Sequence, residues 1–328
     1  MATSLSWDYS RTAAQIIAGV MEDLGVLASG GTIVAADETL ALSRLNMLVK
    51  QWQGSADFAA GLKIYSRQRV TLFLAEGQQT YLIGPASGDA RATTRYGRTT
   101  IDAAEAAAQT VLSVAATSDT TTEPGTTITA TASDFLGVEQ DDGTIFWSTV
   151  SSISAGDTIT AAAGITVASA VGRYVWWFTT RAQRFPVIES AVLRDEDFKD
   201  TPLAVYTDAR QYDQGVTDKY VDGDPTAILI EPLRTQTRVT LNAQPTDVTK
   251  TIVMTVQYPA EDYDATTNDI AMPQEGLLAL HWALAKLCAP AFGVTWTQVM
   301  KENHDTALAI YRNLNPENSV LYFQPGGA

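Results

Sequence analysis

The residues whose side chains could carry acid–base or nucleophilic chemistry are few. The chain has one cysteine, Cys288, and two histidines, His281 and His304. Cys288 falls on the apolar face of a predicted helix without a candidate base, which favours a small core residue over a nucleophile. His281 belongs to the same helix, where a packed histidine is commoner than a ligand. His304 precedes Asp305, and adjacent helical side chains point apart, so no base–orienter pair is predicted.

Acidic side chains are the other source of chemistry, because Ca²⁺ is bound through oxygen. Four carboxylates lie close together in the sequence, at Asp134, Glu139, Asp141 and Asp142. Their spacing differs from that of an EF-hand loop, and the sequence contains neither C-x-x-C nor H-E-x-x-H. A solvated acidic loop is therefore the preferred interpretation. We expect no metal, no cofactor and no catalytic residue, and we predict that the protein is not an enzyme.

Two further groups could recognise a ligand. Arg91, Arg95 and Arg98 form a basic cluster. They are candidates for contacts with nucleic acid or with the carboxylates of a partner, although charge clusters are more often solvated loops. Trp176 and Trp177 end a predicted strand. A buried edge of a β domain is a commoner place for such residues than a sugar-binding platform.

The balance of charge limits the classes of partner. The 328 residues include 22 Lys and Arg against 37 Asp and Glu, a net charge of −15. A protein that grips DNA needs a basic face, so the composition argues against a DNA-binding factor. It suits a surface that DNA slides past without sticking. A single cysteine gives no disulfide framework within the chain, which fits a reducing compartment, and no signal peptide is expected.

The most apolar stretch, residues 272–294, tests for a membrane span. A spanning helix needs about 20 mostly apolar residues. This stretch is barely that long, and His281, Lys286 and Pro290 interrupt it. Its apolar residues recur at helical spacing, which predicts a core helix that Pro290 and Gly293 end. The predicted inward face comprises Leu277, Leu280, Leu284, Leu287 and Cys288.

Three more helices are predicted from apolar periodicity. One follows residue 294, with Thr295 and Gln298 at capping-box spacing. Its predicted inward residues are Val299, Met300, Ala307, Ile310, Tyr311 and Leu314. The other two lie within residues 8–54, and Asp37 is the expected N-cap of the second. Their predicted buried residues are Ile16, Ile17, Val20 and Leu24 in the first, and Leu45, Leu48, Val49 and Trp52 in the second.

Strand signals occupy the middle of the chain. Residues 68–74 and 79–84 predict a hairpin, and residues 85–108 a loop. Between residues 109 and 178, short Thr-, Ser- and Val-rich runs predict a small inserted β barrel or sandwich, with turns at Asp142-Gly143 and Gly156-Asp157. Three later strands are predicted at residues 226–231, 238–242 and 251–258.

Several of these segments, in order, resemble the head-to-tail adaptor family of short-tailed bacteriophages, also called tail accessory factors or packaged-DNA stabilisation proteins. The resemblance covers nearly the whole chain outside the predicted β domain, and the number and order of the motifs carry it. The segments are QIIAGVMEDLGVL, ALSRLNMLVKQWQ, YLIGP, RFPVIESAVLRD, QYDQGVTDKYVDGDPTAILIEP and MPQEGLLALHWALAKLCAPAFGV.

The last of these segments is similar to the signature helix of that family. Phe292 stands in its aromatic position, whereas Gly276 departs from it, because a tryptophan or another bulky residue is expected there. The matching residues are Pro273, Glu275, Leu280, Leu284, Leu287, Pro290 and Gly293.

The resemblance implies an α+β fold with an α-helical bundle body, strand and hairpin elements, an inserted all-β domain and an extended C-terminal arm. Residues 1–108 would hold the N-terminal helical pair and hairpin, and residues 109–178 the β domain. Residues 179–314 would complete the body with the C-terminal helical hairpin, and residues 315–328 would form the arm.

The resemblance also implies a role and a set of partners. Such adaptors form a ring, usually of twelve copies, beneath the portal protein of the capsid. The ring extends the DNA channel, helps to retain packaged DNA without sequence-specific binding, and docks tail-tube, nozzle or fibre proteins. The expected location is the neck or tail of the virion, after assembly in the host cytoplasm, with no membrane partner.

Two regions have specific expectations within this role. An apolar patch in the arm, formed by Val320, Leu321, Tyr322 and Phe323, is predicted to order on the portal, with a frayed terminus as the alternative. The β domain is predicted to project outward and meet a fibre, a nozzle or a neighbouring subunit, with bare decoration as the alternative.

Two other functions stay open at this point. A tail-tube or baseplate subunit would need a β-dominated main body, against which the two helical pairs argue. A carbohydrate-binding or carbohydrate-degrading tail module would use the tryptophans and acidic loops of the β domain. Hydrolysis would require two carboxylates facing each other across a cleft.

Overall fold

The computed structural model describes residues 9–54, 67–84, 91–123 and 125–312. The chain divides into two compact units. The first combines both ends of the sequence, Met1–Arg67 and Pro259–Ala328, and the second is the continuous segment Gln68–Tyr258. Each unit has an apolar core of its own.

The first unit is helical. The described residues form α1 (Ala13–Asp23), α2 (Ala35–Gly54), α3 (Ala209–Gly215), α4 (Leu277–Cys288) and α5 (Gln298–Arg312), and only α3 belongs to the second unit. A 3-10 helix at Gln274–Gly276 leads into α4. Because α4 packs against α1, α2 and α5, it is the central helix of the first unit.

Short-range interactions fix where these helices begin. The Thr12 side chain accepts the Gln15 backbone N–H, and the Gln15 side chain accepts the Thr12 backbone N–H. This reciprocal capping box satisfies two donors that a bare helix end leaves unpaired. α2 begins at Ala35, so the expectation that Asp37 is its N-cap is wrong. Thr297, rather than Thr295, accepts the Met300 N–H at the start of α5.

The second unit is built from strands. All nineteen strands of the described residues belong to five sheets. Their bounds are β1 (Arg67–Phe73), β2 (Thr80–Ile83), β3 (Ala92–Thr93), β4 (Gly97–Thr100), β5 (Val111–Ser113), β6 (Ser118–Asp119), β7 (Ile128–Thr129), β8 (Phe135–Glu139), β9 (Ile145–Ser154), β10 (Thr158–Ala161), β11 (Tyr174–Phe178), β12 (Val187–Arg194), β13 (Asp200–Pro202), β14 (Ala204–Tyr206), β15 (Val221–Asp222), β16 (Ala227–Pro232), β17 (Thr237–Leu241), β18 (Ala243–Gln244) and β19 (Thr251–Gln257).

Three of the sheets are large. One has the order β13-β12-β19-β1-β3, another β4-β11-β8-β9-β10-β5, and the third β14-β16-β17-β2. Side chains from the first and third sheets share one buried core, to which Ile230, Val239, Ile252 and Met254 contribute. The six-stranded sheet has a separate core around Leu136, with Val138 and Trp177 among its members.

The expectation of an α-helical bundle body is therefore wrong, because strands dominate the described residues. The strands predicted at residues 226–231, 238–242 and 251–258 do exist, as β16, β17 and β19. They do not decorate a helical body; they join sheets with a core of their own. Periodicity identifies a strand but not its partner, so the extent of the sheets could not be predicted.

The predicted hairpin at residues 68–84 is also wrong. β1 belongs to the five-stranded sheet, whereas β2 pairs with β17 in the four-stranded sheet. The short connection therefore passes from one sheet to another, and its local sequence cannot distinguish that path from a hairpin turn. Residues 85–108, predicted as a loop, include β3 and β4.

The six-stranded sheet contains strand signals from the segment predicted as the β domain. It also includes β4, which precedes residue 109. The predicted turns at Asp142-Gly143 and Gly156-Asp157 connect β8 to β9 and β9 to β10. Gly156 and Asp157 have φ values of +86° and +53°. Positive φ at successive positions is the geometry that tight hairpins require.

Two tryptophans of this sheet lie over glycines on the neighbouring strand. Trp177 is opposite Gly97, and Trp147 is opposite Gly137. A Cβ atom at Gly97 would stand 2.3 Å from Trp177 Cε2. Trp176 and Trp177 are 1% and 0% exposed, which confirms that they are buried and excludes a sugar platform made of these two residues. The expected edge position is wrong, because β11 pairs with β4 on one side and with β8 on the other.

Candidate assembly surface on the helical unit

The helix that carries the family resemblance lies at the centre of the first unit. Leu280 and Leu284 of α4 are fully buried. Pro273 precedes the 3-10 helix, where Glu275 stands in the first turn and is exposed. Pro290 and Gly293 lie in the turn after α4, and Gly293 has a positive φ of 66°. The helix therefore ends where the sequence predicted.

Packing explains why position 276, which departs from the family signature, is occupied by a glycine. A Cβ atom there would lie 2.7 Å from Cε2 of Tyr311 and 2.8 Å from Sδ of Met272. Tyr311 is fully buried and comes from α5. The tyrosine ring thus occupies the space next to residue 276 that a bulky side chain would fill.

Three apolar side chains that were predicted to point into the core are instead exposed to solvent. Leu287, Val299 and Ile310 are 39%, 66% and 56% exposed. The apolar pattern on a helix marks side chains that avoid water, but it does not show whether the covering partner is the same chain. Leu314, also predicted inward, lies outside the described residues.

Two clefts flank α4. The first, here named the α2–α4–α5 groove, has a volume of about 360 Å³. It is lined by Leu48, Gln51, Trp52, Ala283, Lys286, Leu287, His304, Leu308 and Arg312. The second, here named the α1–α4 cleft, has a volume of about 350 Å³. It is lined by Tyr9, Arg11, Ile16, Asp23, Gln274, Leu277, Leu278, His281 and Trp282.

Each histidine is paired with an aspartate at the edge of one cleft. His281 Nε2 lies 2.6 Å from Oδ2 of Asp23, a residue that sequence reasoning missed. His304 Nδ1 lies 2.8 Å from Asp305 Oδ1, so the expectation that these neighbours point apart is wrong. The Asp305 carboxyl has a lowered pKa, chiefly because of the hydrogen bond with His304. Neither pair has a nucleophile in contact among the hydrogen bonds of the described residues.

Cys288 is buried, and burial raises the pKa of its thiol. The nearby Arg44 guanidinium acts in the opposite direction but does not overcome desolvation. A thiol with a raised pKa is a poor nucleophile, because the thiolate is the reactive form. This agrees with the prediction of a core residue.

The arginine cluster of the second unit is engaged within the chain. The Arg91 guanidinium lies 5.2 Å from the ring centroid of Trp147. Arg95 Nε lies 2.7 Å from Glu123 Oε2. Arg98 lies over the rings of Tyr174 and Phe198, at 4.9 and 4.7 Å from their centroids. These contacts spread the three guanidinium groups over different partners and do not form a shared anion-binding pocket.

The expectation of a solvated acidic loop is wrong for two of its four residues, because Asp134 and Glu139 are 1% and 4% exposed. Glu139 accepts from Arg173 and from the Tyr174 N–H, and Asp141 accepts from the Ala170 N–H. Asp142 accepts from Thr144 within the turn. Among the residues that the structure describes, no group of three or more His, Cys, Asp or Glu side chains could hold a metal ion.

Sequence reasoning missed two buried carboxylates, Glu105 and Asp119. Asp119 is 4% exposed and accepts hydrogen bonds from Thr121 N–H and hydroxyl, the Thr122 hydroxyl and the Arg98 N–H. Desolvation is the largest influence on its pKa and raises it, but the hydrogen bonds together lower the pKa below its ordinary value. The available signal was the motif D-x-T-T at residues 119–122, which begins at the last residue of β6.

The predicted portal-docking residues Val320, Leu321, Tyr322 and Phe323 lie outside the described residues. Within the described ranges, no helix is both long and apolar enough to cross a membrane. No protein-family model matches the chain, and no curated protein matches it significantly. The adaptor resemblance thus rests on the sequence segments alone.

Proposed function

We propose that the protein is a structural head-to-tail adaptor of a bacteriophage virion. In this role it forms a closed ring beneath the portal, and the family resemblance implies that the ring contains twelve copies. The ring continues the DNA channel, retains packaged DNA and docks tail proteins. The observation that carries the proposal is a concentration of exposed apolar side chains on the helical unit, which also contains the N-terminal helices and the signature helix.

The distribution of those side chains is uneven. Among the residues that the structure describes, fourteen large hydrophobic side chains are exposed, nine in the first unit and five in the second. The described part of the first unit is about half as long as that of the second. The nine are Tyr9, Val26, Val34, Leu40, Met47, Leu278, Leu287, Val299 and Ile310. Single exposed apolar residues are ordinary, but a concentration of them is typical of an interaction surface.

Ring formation gives such a surface a use. A ring of identical subunits joins two different faces of each copy, head to tail, until the rotation closes. Apolar side chains on several helices of one unit can serve both faces. The net charge of −15 suits the channel, since an acidic wall repels the phosphates of a moving duplex.

Mass photometry of the purified protein, alone and mixed with portal rings of the same virus, tests the proposal. We expect monomers alone and near-stoichiometric addition to the portal ring. Val299→Asp, at a side chain that is 66% exposed, should weaken assembly by about tenfold or more. Val171→Asp is the matched control, because Val171 is 62% exposed but lies in the second unit. If the protein shows no binding to portal rings in this assay, the proposal is wrong.

The predicted arm has its own test within this role. A chain that ends at Asn315 lacks the apolar patch at residues 320–323. It should bind portal rings more weakly than the full chain, because ordering of that patch on the portal would add apolar contact. Unchanged affinity would remove the arm from the portal contact and leave the rest of the proposal standing.

A second candidate is a tail-tube or baseplate subunit, because one observation favours it. That reading requires a β-dominated chain, and the nineteen strands meet the requirement. The two candidates differ in what triggers assembly. A tube or baseplate subunit should polymerise on itself or on tail components, whereas an adaptor should close into a ring on the portal.

A further inference from the structure

We infer that, before assembly, the α2–α4–α5 groove holds the apolar patch of the same chain's C-terminal segment, residues 320–323. The inference rests on the proposed function for its meaning, because it describes how an adaptor would keep its arm until a partner is present. The groove itself is a feature of the described helices.

The groove is apolar inside and partly cationic at its rim. Leu48, Ala283 and Leu308 contribute apolar walls, and Leu287 of α4 remains 39% exposed beside them. The rim includes Lys286. Its volume of about 360 Å³ is in the range of sites that hold a few large side chains. Such a surface fits a short apolar segment with polar flanks.

The segment that follows α5 has that composition. Residues 313–328 are mostly polar, Gly or Pro, with a single uninterrupted apolar run, Val320–Phe323. Tyr322 and Phe323 are large aromatic residues, which bury about 150–250 Å² each when they are covered. Glu317 is the one charged side chain of the segment, and its sign is opposite to that of Lys286.

Connectivity selects the same chain over a second copy. Arg312, the last residue of α5, itself lines the groove. The eight residues from 313 to 320 can span at most about 26 Å, more than a helix diameter of about 10 Å, so the patch can return to the groove. A tether of this length gives an effective concentration on the order of mM, far above the micromolar concentration of other copies in a dilute solution.

The two clefts beside α4 provide a matched pair of variants. Leu287 lines the α2–α4–α5 groove and is 39% exposed, whereas Leu278 lines the α1–α4 cleft and is 57% exposed. Both belong to α4, but Leu278 lies in its first turn and Leu287 in its last, so the helix dipole favours an aspartate at the first position and opposes it at the second. Heat unfolding of each variant therefore separates this effect on the helix from an effect on the groove. Only Leu287→Asp places a charge in the inferred binding groove.

Photo-crosslinking of the full chain tests the inference. Tyr322 is replaced by p-benzoylphenylalanine, the protein is irradiated at a concentration at which it is monomeric, and the crosslinked peptides are mapped by mass spectrometry. We expect crosslinks within one chain to α2, α4 and α5. Leu287→Asp should lower their yield by about tenfold, because the apolar segment would face a carboxylate, and Leu278→Asp should leave it unchanged.

Several results would overturn the inference. Crosslinks between chains, crosslinks confined to other surfaces, or equal loss in both variants would each exclude the groove as the site of the segment. Heat unfolding of both variants shows whether either aspartate disturbs the helical unit. The outcome is independent of the portal assay, because crosslinking without portal binding would retain the groove contact and reject only the adaptor role.

Discussion

A tight packing constraint in the second unit is the contact between Trp177 and Gly97, and the substitution Gly97→Ala tests it directly. The new Cβ would lie 2.3, 2.4 and 2.6 Å from Cε2, Cζ2 and Nε1 of the indole. An ordinary carbon contact is about 3.5–4.0 Å, so the ring would have to move by about 1 Å. Trp177 is fully buried in the core of the six-stranded sheet, which leaves little room for that movement.

The expected cost follows from two opposing effects. Overpacking a core costs about 1–3 kcal/mol, and this overlap belongs near the upper end. Replacing glycine by alanine restricts the unfolded chain and returns about 0.4–1 kcal/mol. The net loss in the free energy of unfolding is therefore about 2 kcal/mol. For a unit of this size, that corresponds to a decrease of about 4–8 °C in the melting temperature.

Gly137→Ala is the matched control. Gly137 has the same cross-strand relation to Trp147, and its Cβ would lie 2.8 Å from Cη2 and Cζ3 of that ring. Trp147 is only partly buried, so the ring can tilt outward. We expect this variant to change the free energy of unfolding by less than about 1 kcal/mol, because a small shift relieves the overlap.

Differential scanning calorimetry of the full chain measures both variants, and a double-mutant cycle identifies the cause. In a Trp177→Leu background the indole is gone, so Gly97→Ala should cost less than about 0.5 kcal/mol. The reasoning fails if Gly97→Ala is no more destabilising than Gly137→Ala. It also fails if its cost is the same with and without the indole.

Three further outcomes can be checked. Asp119→Asn should destabilise the second unit by about 2–3 kcal/mol at neutral pH. In the unmodified protein, the stability that the Asp119 carboxylate contributes is fully present above the unfolded pKa of about 3.9 and is lost as the pH falls through the lowered folded pKa. In urea unfolding at several pH values, the free energy of unfolding of the variant should therefore depend less on acid than that of the unmodified protein. Gly276→Ala should destabilise the first unit by about 1 kcal/mol, and Tyr311→Leu in the same chain should remove most of that increment, as calorimetry of the single and double variants would show. Asp23→Ala should cost less than about 1 kcal/mol in heat unfolding, because the carboxylate facing His281 is 48% exposed and screened by solvent.

The helices of the first unit were predictable because their signals are local. Ile16, Ile17, Leu45 and Trp52 recur at helical spacing, and all are buried as that spacing predicts. The path of the strands was not predictable in this way. β2 carries a clear strand pattern, but its partner β17 is more than 150 residues away along the chain, and the pattern contains no information about that distance.

The candidate surface shows the same limit in side chains. His281 was identified as a residue of α4, yet its partner Asp23 is 258 positions away and could not be inferred. Leu287, Val299 and Ile310 were assigned to the core because they are apolar and periodic. Their exposure shows that an apolar pattern identifies side chains that favour burial, but does not show whether the same chain or another molecule buries them.

Charge and apolar exposure are distributed differently in this chain, and this has a consequence for assembly. The first unit has 14 Asp and Glu against 8 Lys and Arg, and the second 23 against 14, so the net charges are −6 and −9. Repulsion between copies thus comes from both units, whereas the apolar surface is concentrated on one. Salt screens the repulsion and leaves apolar contact intact, since the Debye length falls from about 10 Å at 0.1 M to about 3 Å at 1 M. Self-association without a portal should therefore increase with ionic strength in mass photometry or sedimentation. A decrease with salt would show that attraction between opposite charges, rather than apolar contact, joins the copies.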